Sequence, residues 1–231
     1  MGPQELWEAS LQPHRALPRR AAKPLGPGGA LVGMLAWRVP LGVLGAIATA
    51  RGLLVGLTQF RQLEGPFAQT VLAAMPEVAP EDLKAALANL PQFPSLYSTL
   101  PWILLLVPLG LLGAWLHHSA WDHGCLWLLR GLRKDHPWKA TFEAEAVALQ
   151  VGSVGAVLGL VTLVPVVGPY LWPLTLVLDL WFWCLRGMSL AAFHRCPLWK
   201  GVAATFLHGI LVILFACGLL VLVFLVVGMQ V

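Results

Sequence analysis

Apolar residues along this chain gather into long runs separated by short polar stretches, and the run lengths set the architecture. The run "LVGMLAWRVPLGVLGAIATARGLLVGLTQF" (residues 31–60) is interrupted at Arg38-Val39-Pro40. That pattern predicts a short interfacial piece followed by a span from about Pro40 to Phe60, with Arg51 inside it. At 1.5 Å of rise per residue, roughly 20 residues cross a hydrocarbon core about 30 Å thick. By the same reading a second span runs from about Leu100 to His117, a third from about Glu145 to Val167, a fourth from about Tyr170 to Arg186 and a fifth from about Val202 to Val227.

The third and fourth spans are separated by length and turn chemistry. Val147 to Leu185 is 39 residues without a Lys or Arg, too long for one tilted helix and right for two. Pro165, Gly168 and Pro169 sit at its middle, where Gly tolerates positive φ and Pro cannot continue a helix. The segment "VPVVGP" is therefore expected to be a hairpin tip at the far membrane surface. Between the first two spans, an outer loop over about 61–99 contains "APEDLKAALANL". There Pro80 and two acids open a short helix with Leu83, Ala86, Leu87 and Leu90 at helical spacing.

Composition agrees with this pattern. Only 11% of the 231 residues are charged and 58% are hydrophobic, with a mean hydropathy of +0.75. A soluble domain needs about a quarter of its residues charged to cover its surface, so a soluble globular fold is excluded. The fold class expected is an all-α polytopic membrane helix bundle with five transmembrane helices. Eleven tryptophans against two tyrosines fit, since Trp settles at the water–lipid boundary.

The distribution of positive charge orients the bundle. Five Lys/Arg precede the first span, four lie between the second and third, and three between the fourth and fifth, leaving three elsewhere of the fifteen. The positive-inside rule then places the N-terminus in the cytoplasm and the C-terminus outside. Residues 1–38 form a basic, Pro-rich arm and interfacial segment, expected to be disordered or loosely amphipathic, and residues 39–231 form the membrane domain. With no clean apolar core before a small-residue cleavage site, the first span reads as an uncleaved anchor.

From Trp115 to Gly218 the chain resembles the Yip family (Ypt/Rab-interacting membrane proteins), in the form of its bacterial members. The resemblance rests on the five spans and on the amphipathic stretch "WLLRGLRKDHPWKATFEAEAVALQ" before the third. It also rests on the hairpin "LVPVVGPYLWPLTLVL" and on "WKGVAATFLHGILVILFACG" leading through the last span. Trp181 and Trp183 depart from the family's smaller residues. The likeness implies a polytopic, non-enzymatic membrane adaptor or scaffold in membrane organisation or trafficking. Eukaryotic members bind prenylated Rab GTPases, and the bacterial likeness implies an inner (plasma) membrane location.

Candidate chemistry is sparse. Asp179 and Arg51 are the formally charged side chains placed near a bilayer centre, where each needs a partner. Counting residues from Arg186 and Lys200 puts Asp179 and His208 at similar depth, so an Asp179–His208 hydrogen bond is expected, with Arg51 as the competing partner. Such an acid also supports an alternative function, a small ion or solute transporter or channel.

His117, His118, His123 and Cys125 form a cluster of metal-like residue types, but HHxxxxHxC matches no standard zinc spacing, and no metal or cofactor is expected. A membrane enzyme built on those histidines is the third class considered. Cys125, Cys184, Cys196 and Cys217 read as apolar packing residues. Gly155 and Gly159 form a G-x-x-x-G face for helix packing. With no nucleophile elbow, phosphate loop or HExxH, enzymatic activity is not expected. The partners expected are the lipid bilayer and a cytoplasmic protein, with homo-oligomerisation open and no nucleic acid.

Overall fold

A computed structural model describes residues 1–74, 79–89, 94–162 and 168–228. Ten helices form among them: α1 (Pro3–Leu11), α2 (Pro13–Ala22), α3 (Gly26–Arg61), α4 (Gly65–Ala74), α5 (Pro80–Ala88), α6 (Leu96–Leu128), α7 (Pro137–Val151), α8 (Ser153–Val161), α9 (Gly168–His194) and α10 (Leu198–Gly228). No strand occurs among the described residues. Among the described residues five stretches are long and apolar enough to cross a membrane: Gly26–Arg61, Leu96–Leu128, Pro137–Val161, Pro173–His194 and Leu198–Val223. The chain is an all-α polytopic bundle. Pro165 and most of the expected hairpin tip lie outside the described residues; Gly168 and Pro169 open α9.

The helices overrun the expected spans. α3 is continuous through Arg38 and Pro40, because Pro removes one backbone donor without ending a helix whose other bonds hold. α6 continues past His117 to Leu128, α7 begins at Pro137 rather than Glu145, and α9 continues past Arg186 to His194. Both intervening turns begin with a left-handed arginine at the end of the preceding helix. At the end of α6, Arg130 has φ +52° and Gly131 N–H donates to the Leu126 carbonyl; at the end of α9, Arg195 has φ +55° and Cys196 N–H donates to the Ala191 carbonyl. These five-back bonds close each helix, and Pro137 and Pro197 follow. Lys200 Nζ donates to the Arg130 carbonyl (3.0 Å), so the two turns lie at the same end of the bundle.

The N-terminal arm is folded, contrary to its Pro-rich composition. Pro3 and Pro13 open helices, where a missing N–H costs nothing. Leu6, Ala9, Pro13 and Leu17 supply the buried positions, and Arg19 pairs with Glu8. α1 packs on α7, and α2 on α9. Glu143 of α7 accepts the N–H groups of Leu25 (2.7 Å) and Gly26 (3.2 Å) at the start of α3, with Arg20 3.8 Å away. Trp37 Nε1–H donates to the Met1 carbonyl (3.2 Å).

The chain divides into two compact units. Met1–Leu41 and Pro108–Val231 form one, so the arm belongs with the core of the membrane domain; Gly42–Val107 form the other. The second unit contains Arg51, exposed on α3, and the outer-loop helix α5, found where the spacing predicts it. Within that unit a Cβ on Gly42 would fall 2.7 Å from Val107 Cγ1.

In the first unit α9 is central, packed against α7 and α10. The closest approach of α9 and α10 is at Gly187 and Gly201. A Cβ on Gly187 would overlap the Val202 backbone, and one on Gly201 would overlap the Gly187 carbonyl oxygen. The expected packing pair behaves otherwise: a Cβ on Gly159 meets nothing within 4 Å, and one on Gly155 meets only Leu178 Cδ2 at 4.0 Å. A glycine pair permits close packing but does not choose the neighbour that uses it.

Replacing Gly187 or Gly201 by Ala is therefore expected to destabilise the protein by about 1–3 kcal/mol or more, since backbone rather than a flexible side chain stands in the way. Gly159→Ala should leave stability unchanged or slightly raised. Unfolding in mixed detergent–denaturant titrations checks the order.

Candidate functional site

A layer of polar side chains crosses the first unit between α6, α7, α9 and α10. Asp122 lies six residues before the end of α6, Glu145 eight after the start of α7, Arg186 eight before the end of α9, and His208 ten after the start of α10. With 1.5 Å per residue, all four sit roughly 9–15 Å in from the end marked by the two arginine-capped turns. Four helices thus deliver their polar groups to one depth.

Arg186 is 1% exposed and organises the layer. Its Nη2 donates to Asp122 Oδ2 (2.5 Å) and its Nε to Glu145 Oε2 (3.1 Å). Asp122 Oδ1 lies 2.7 Å from His208 Nδ1, and Arg186 Nη2 lies 3.3 Å from that same nitrogen. Nδ1 cannot both donate to the carboxylate and accept from the guanidinium. The shorter, charge-assisted contact decides, so Nδ1 carries the proton and donates to Asp122. His208 Nε2 is then left with its lone pair, 3.3 Å from His117 Nε2.

His117, His118 and His208 converge: one ring nitrogen from each lies within 4.8 Å of the other two. Trp121 stacks against His208 (centroids 5.9 Å, planes 5° apart), and Trp183 lies 6.0 Å from the same ring and 5.4 Å from the Arg186 guanidinium. These three imidazoles are the residues suited to holding a metal.

The histidine cluster suggested by the sequence is divided by helical geometry. His118 and Asp122 are four apart and share a face of α6, whereas His123 is rotated away. His123 Nδ1 contacts Thr141 Oγ1 (2.9 Å), which contacts His194 Nε2 (3.0 Å), and Trp138 stacks on His123 at 3.6 Å. His194 Nδ1 accepts the Arg133 N–H at 3.2 Å. This second network ties the turn after α6 to α7 and α9. Cys125 is a buried free thiol.

The expected Asp179–His208 pair does not form. His208 is engaged by Asp122 and His117, while Asp179 is exposed and borders a shallow groove with Arg38, Gly152, Gly155 and Phe182. Arg38 donates to the Gly152 carbonyl (3.4 Å) and lies 5.8 Å from the Phe182 ring. The expected depth match failed because α9 continues past Arg186 to His194: His208 meets Arg186, and Asp179 lies seven residues, about two turns, deeper along α9 and faces outward. Glu145 and Arg186 were missed because a charge beside an apolar run was read as the end of a span, and Asp122 because the second span was ended at His117. The available signal was the largely apolar continuation on the far side of each boundary: "ATFEA" before Glu145 and "GMSLAAF" after Arg186.

Replacing Arg186 by Met should cost about 3–5 kcal/mol, because two buried carboxylates lose their shared counter-charge. Asp179→Asn is expected to leave the unfolding midpoint unchanged. The same detergent–denaturant titration compares them, and equal effects would contradict the assignment of Arg186 as the organising charge.

Comparison with known proteins finds no family model, no curated protein and no solved structure that matches this chain.

Proposed function

We propose that this chain is a non-enzymatic integral membrane scaffold of the Yip type, lying in a bacterial inner membrane with its N-terminus in the cytoplasm and its C-terminus outside. Its cytoplasmic face engages anionic lipid headgroups and, through them or beside them, a soluble protein. The observation that carries this reading is the basic end of the first unit. Arg15, Arg19 and Lys23 from the folded arm are exposed there, beside exposed Arg130, Lys134, Lys139 and Arg195 from the turns. The acids of the same end are Glu5, Glu8 and Asp135, and Glu8 is already paired with Arg19. Juxtamembrane Lys and Arg contribute about 1 kcal/mol each near an anionic leaflet. Together they hold the arm against the headgroups and fix the orientation without choosing a protein partner.

The packing of α1 and α2 onto α7 and α9 supports the same reading. A folded, basic platform presents a fixed surface, where a disordered tail would present an average one.

Purified from native membranes in mild detergent, the protein is expected to retain anionic phospholipid above its proportion in the bulk membrane. Changing Arg15, Arg19, Lys23, Lys134 and Lys139 together to Gln should remove that enrichment. A cysteine placed at Ser10 should react with an impermeant thiol reagent only from the cytoplasmic side. Unchanged lipid enrichment in the neutralised variant, or labelling of Ser10→Cys from outside, would overturn the proposal, as would solute flux through proteoliposomes above that of empty vesicles.

A further inference from the structure

We infer that His117, His118 and His208 form a binding site for a divalent transition-metal ion, with zinc as the metal its chemistry fits best. Three features of the first unit support it independently.

Spacing is the first. A tetrahedral zinc with Zn–N bonds of about 2.0–2.1 Å holds its nitrogen ligands about 3.4 Å apart and imidazole centroids about 5.2 Å apart. His117 and His208 present their Nε2 atoms at 3.3 Å. The three ring centroids form a nearly equilateral triangle with sides of 5.2 Å (His117–His208), 5.5 Å (His117–His118) and 5.5 Å (His118–His208). The His117–His208 separation is also that of an N–H···N hydrogen bond, so the spacing argument rests on the third ring: His118 brings a nitrogen within 4.8 Å of the other two, a set that an ion could draw together.

Orientation is the second. A metal-ligating imidazole usually donates its other ring N–H to a carboxylate, which fixes the tautomer and raises the basicity of the ligating nitrogen. His208 does this, with Nδ1 on Asp122 at 2.7 Å and Nε2 turned toward His117. Asp122 is itself held by Arg186, and Arg186 by Glu145. The ring is locked further by Trp121. His118 Nδ1 is buried with no hydrogen-bond partner, so this ring has a nitrogen not committed to protein.

Charge is the third. Within the buried layer two carboxylates, Asp122 and Glu145, face a single guanidinium. A cation on the imidazole that Asp122 holds would lie beside this acidic pair, in surroundings that screen its attraction little.

Three histidines leave a fourth position of a tetrahedral ion open. Imidazole ligands suit zinc, copper, nickel and cobalt and exclude magnesium and calcium, which take oxygen. Because His117 and His118 stand on α6 and His208 on α10, the ion would clamp α6 to the α9–α10 pair.

The test uses the full chain in detergent, stripped with chelator and titrated with zinc alone, then separately with cobalt. The expected result is one tightly held zinc per chain, and the visible bands of tetrahedral cobalt that zinc then displaces. The double variant His117→Ala/His118→Ala should lose at least 100-fold in zinc affinity. Asp122→Asn should lose about 10- to 100-fold, the ordinary effect of removing a carboxylate behind a ligating histidine. His123→Ala, which alters the neighbouring network, should bind zinc as the parent chain does. If a variant fails to fold, the cobalt spectrum of the parent chain still decides. Absence of tetrahedral bands, absence of stoichiometric zinc, or full affinity in the double variant would overturn the inference.

Discussion

A guanidinium held more than two helical turns inside an apolar bundle must find its counter-charges there, and that requirement fixes how four helices of this protein meet. Arg186 reaches Asp122 on α6 through one nitrogen and Glu145 on α7 through another, with His208 of α10 beside them. Removing a formal charge from water into such surroundings costs several kcal/mol unless hydrogen-bonded opposite charge is at hand. Each of the four helices must therefore present its polar residue at the same depth and facing inward. Slippage of any helix by one residue would rotate its charge by about 100° and leave the others unmatched.

The apolar contacts of the bundle are arranged around this constraint. Gly187 is the residue after Arg186, and its lack of a side chain lets α10 approach until backbone touches backbone at Gly201. That approach brings His208, two turns further along α10, up to Asp122. On the other side Ser189 Oγ–H donates to the Ala144 carbonyl (2.8 Å), next to Glu145, which draws α9 and α7 together. α6 is reached mainly through long side chains, with Trp115 Nε1–H donating to the Phe142 carbonyl (2.9 Å) as well as Asp122 bonding to Arg186. The helix held least by backbone proximity is the one that contributes two of the three converging histidines.

The N-terminal arm depends on the same helices. Glu143 lies two residues before Glu145, on the part of α7 that faces the N-terminal arm. There it accepts the first N–H groups of α3, a favourable place for a carboxylate because those groups have no partner within their own helix. One short acidic stretch, "FEAEA", thus serves two connections: Glu143 holds the arm and Glu145 holds the polar layer. The basic end proposed to meet anionic lipid and the histidine triad proposed to bind zinc are joined through α7 and α9.

By itself the sequence determined the helical class, the number of apolar segments capable of crossing a membrane and the existence of α5, because these follow from run length and period along a single helix. It also marked His117, His118 and His208 as unusual residues. It could not determine which of them meet. Rotation about each helix axis places His123 away from His118 and turns Asp179 outward, and helix continuation carries Asp122 into a helix whose end was read at His117, and Glu145 and Arg186 inside stretches whose boundaries their charges had suggested. A Pro-rich beginning looked unfolded because its few apolar residues are too sparse to make a core alone. They become sufficient only against α7 and α9. Membership of a helix is a local property that neighbouring residues decide, whereas the pairing of buried charges is settled between helices far apart in the chain, and only the tertiary structure brings those together.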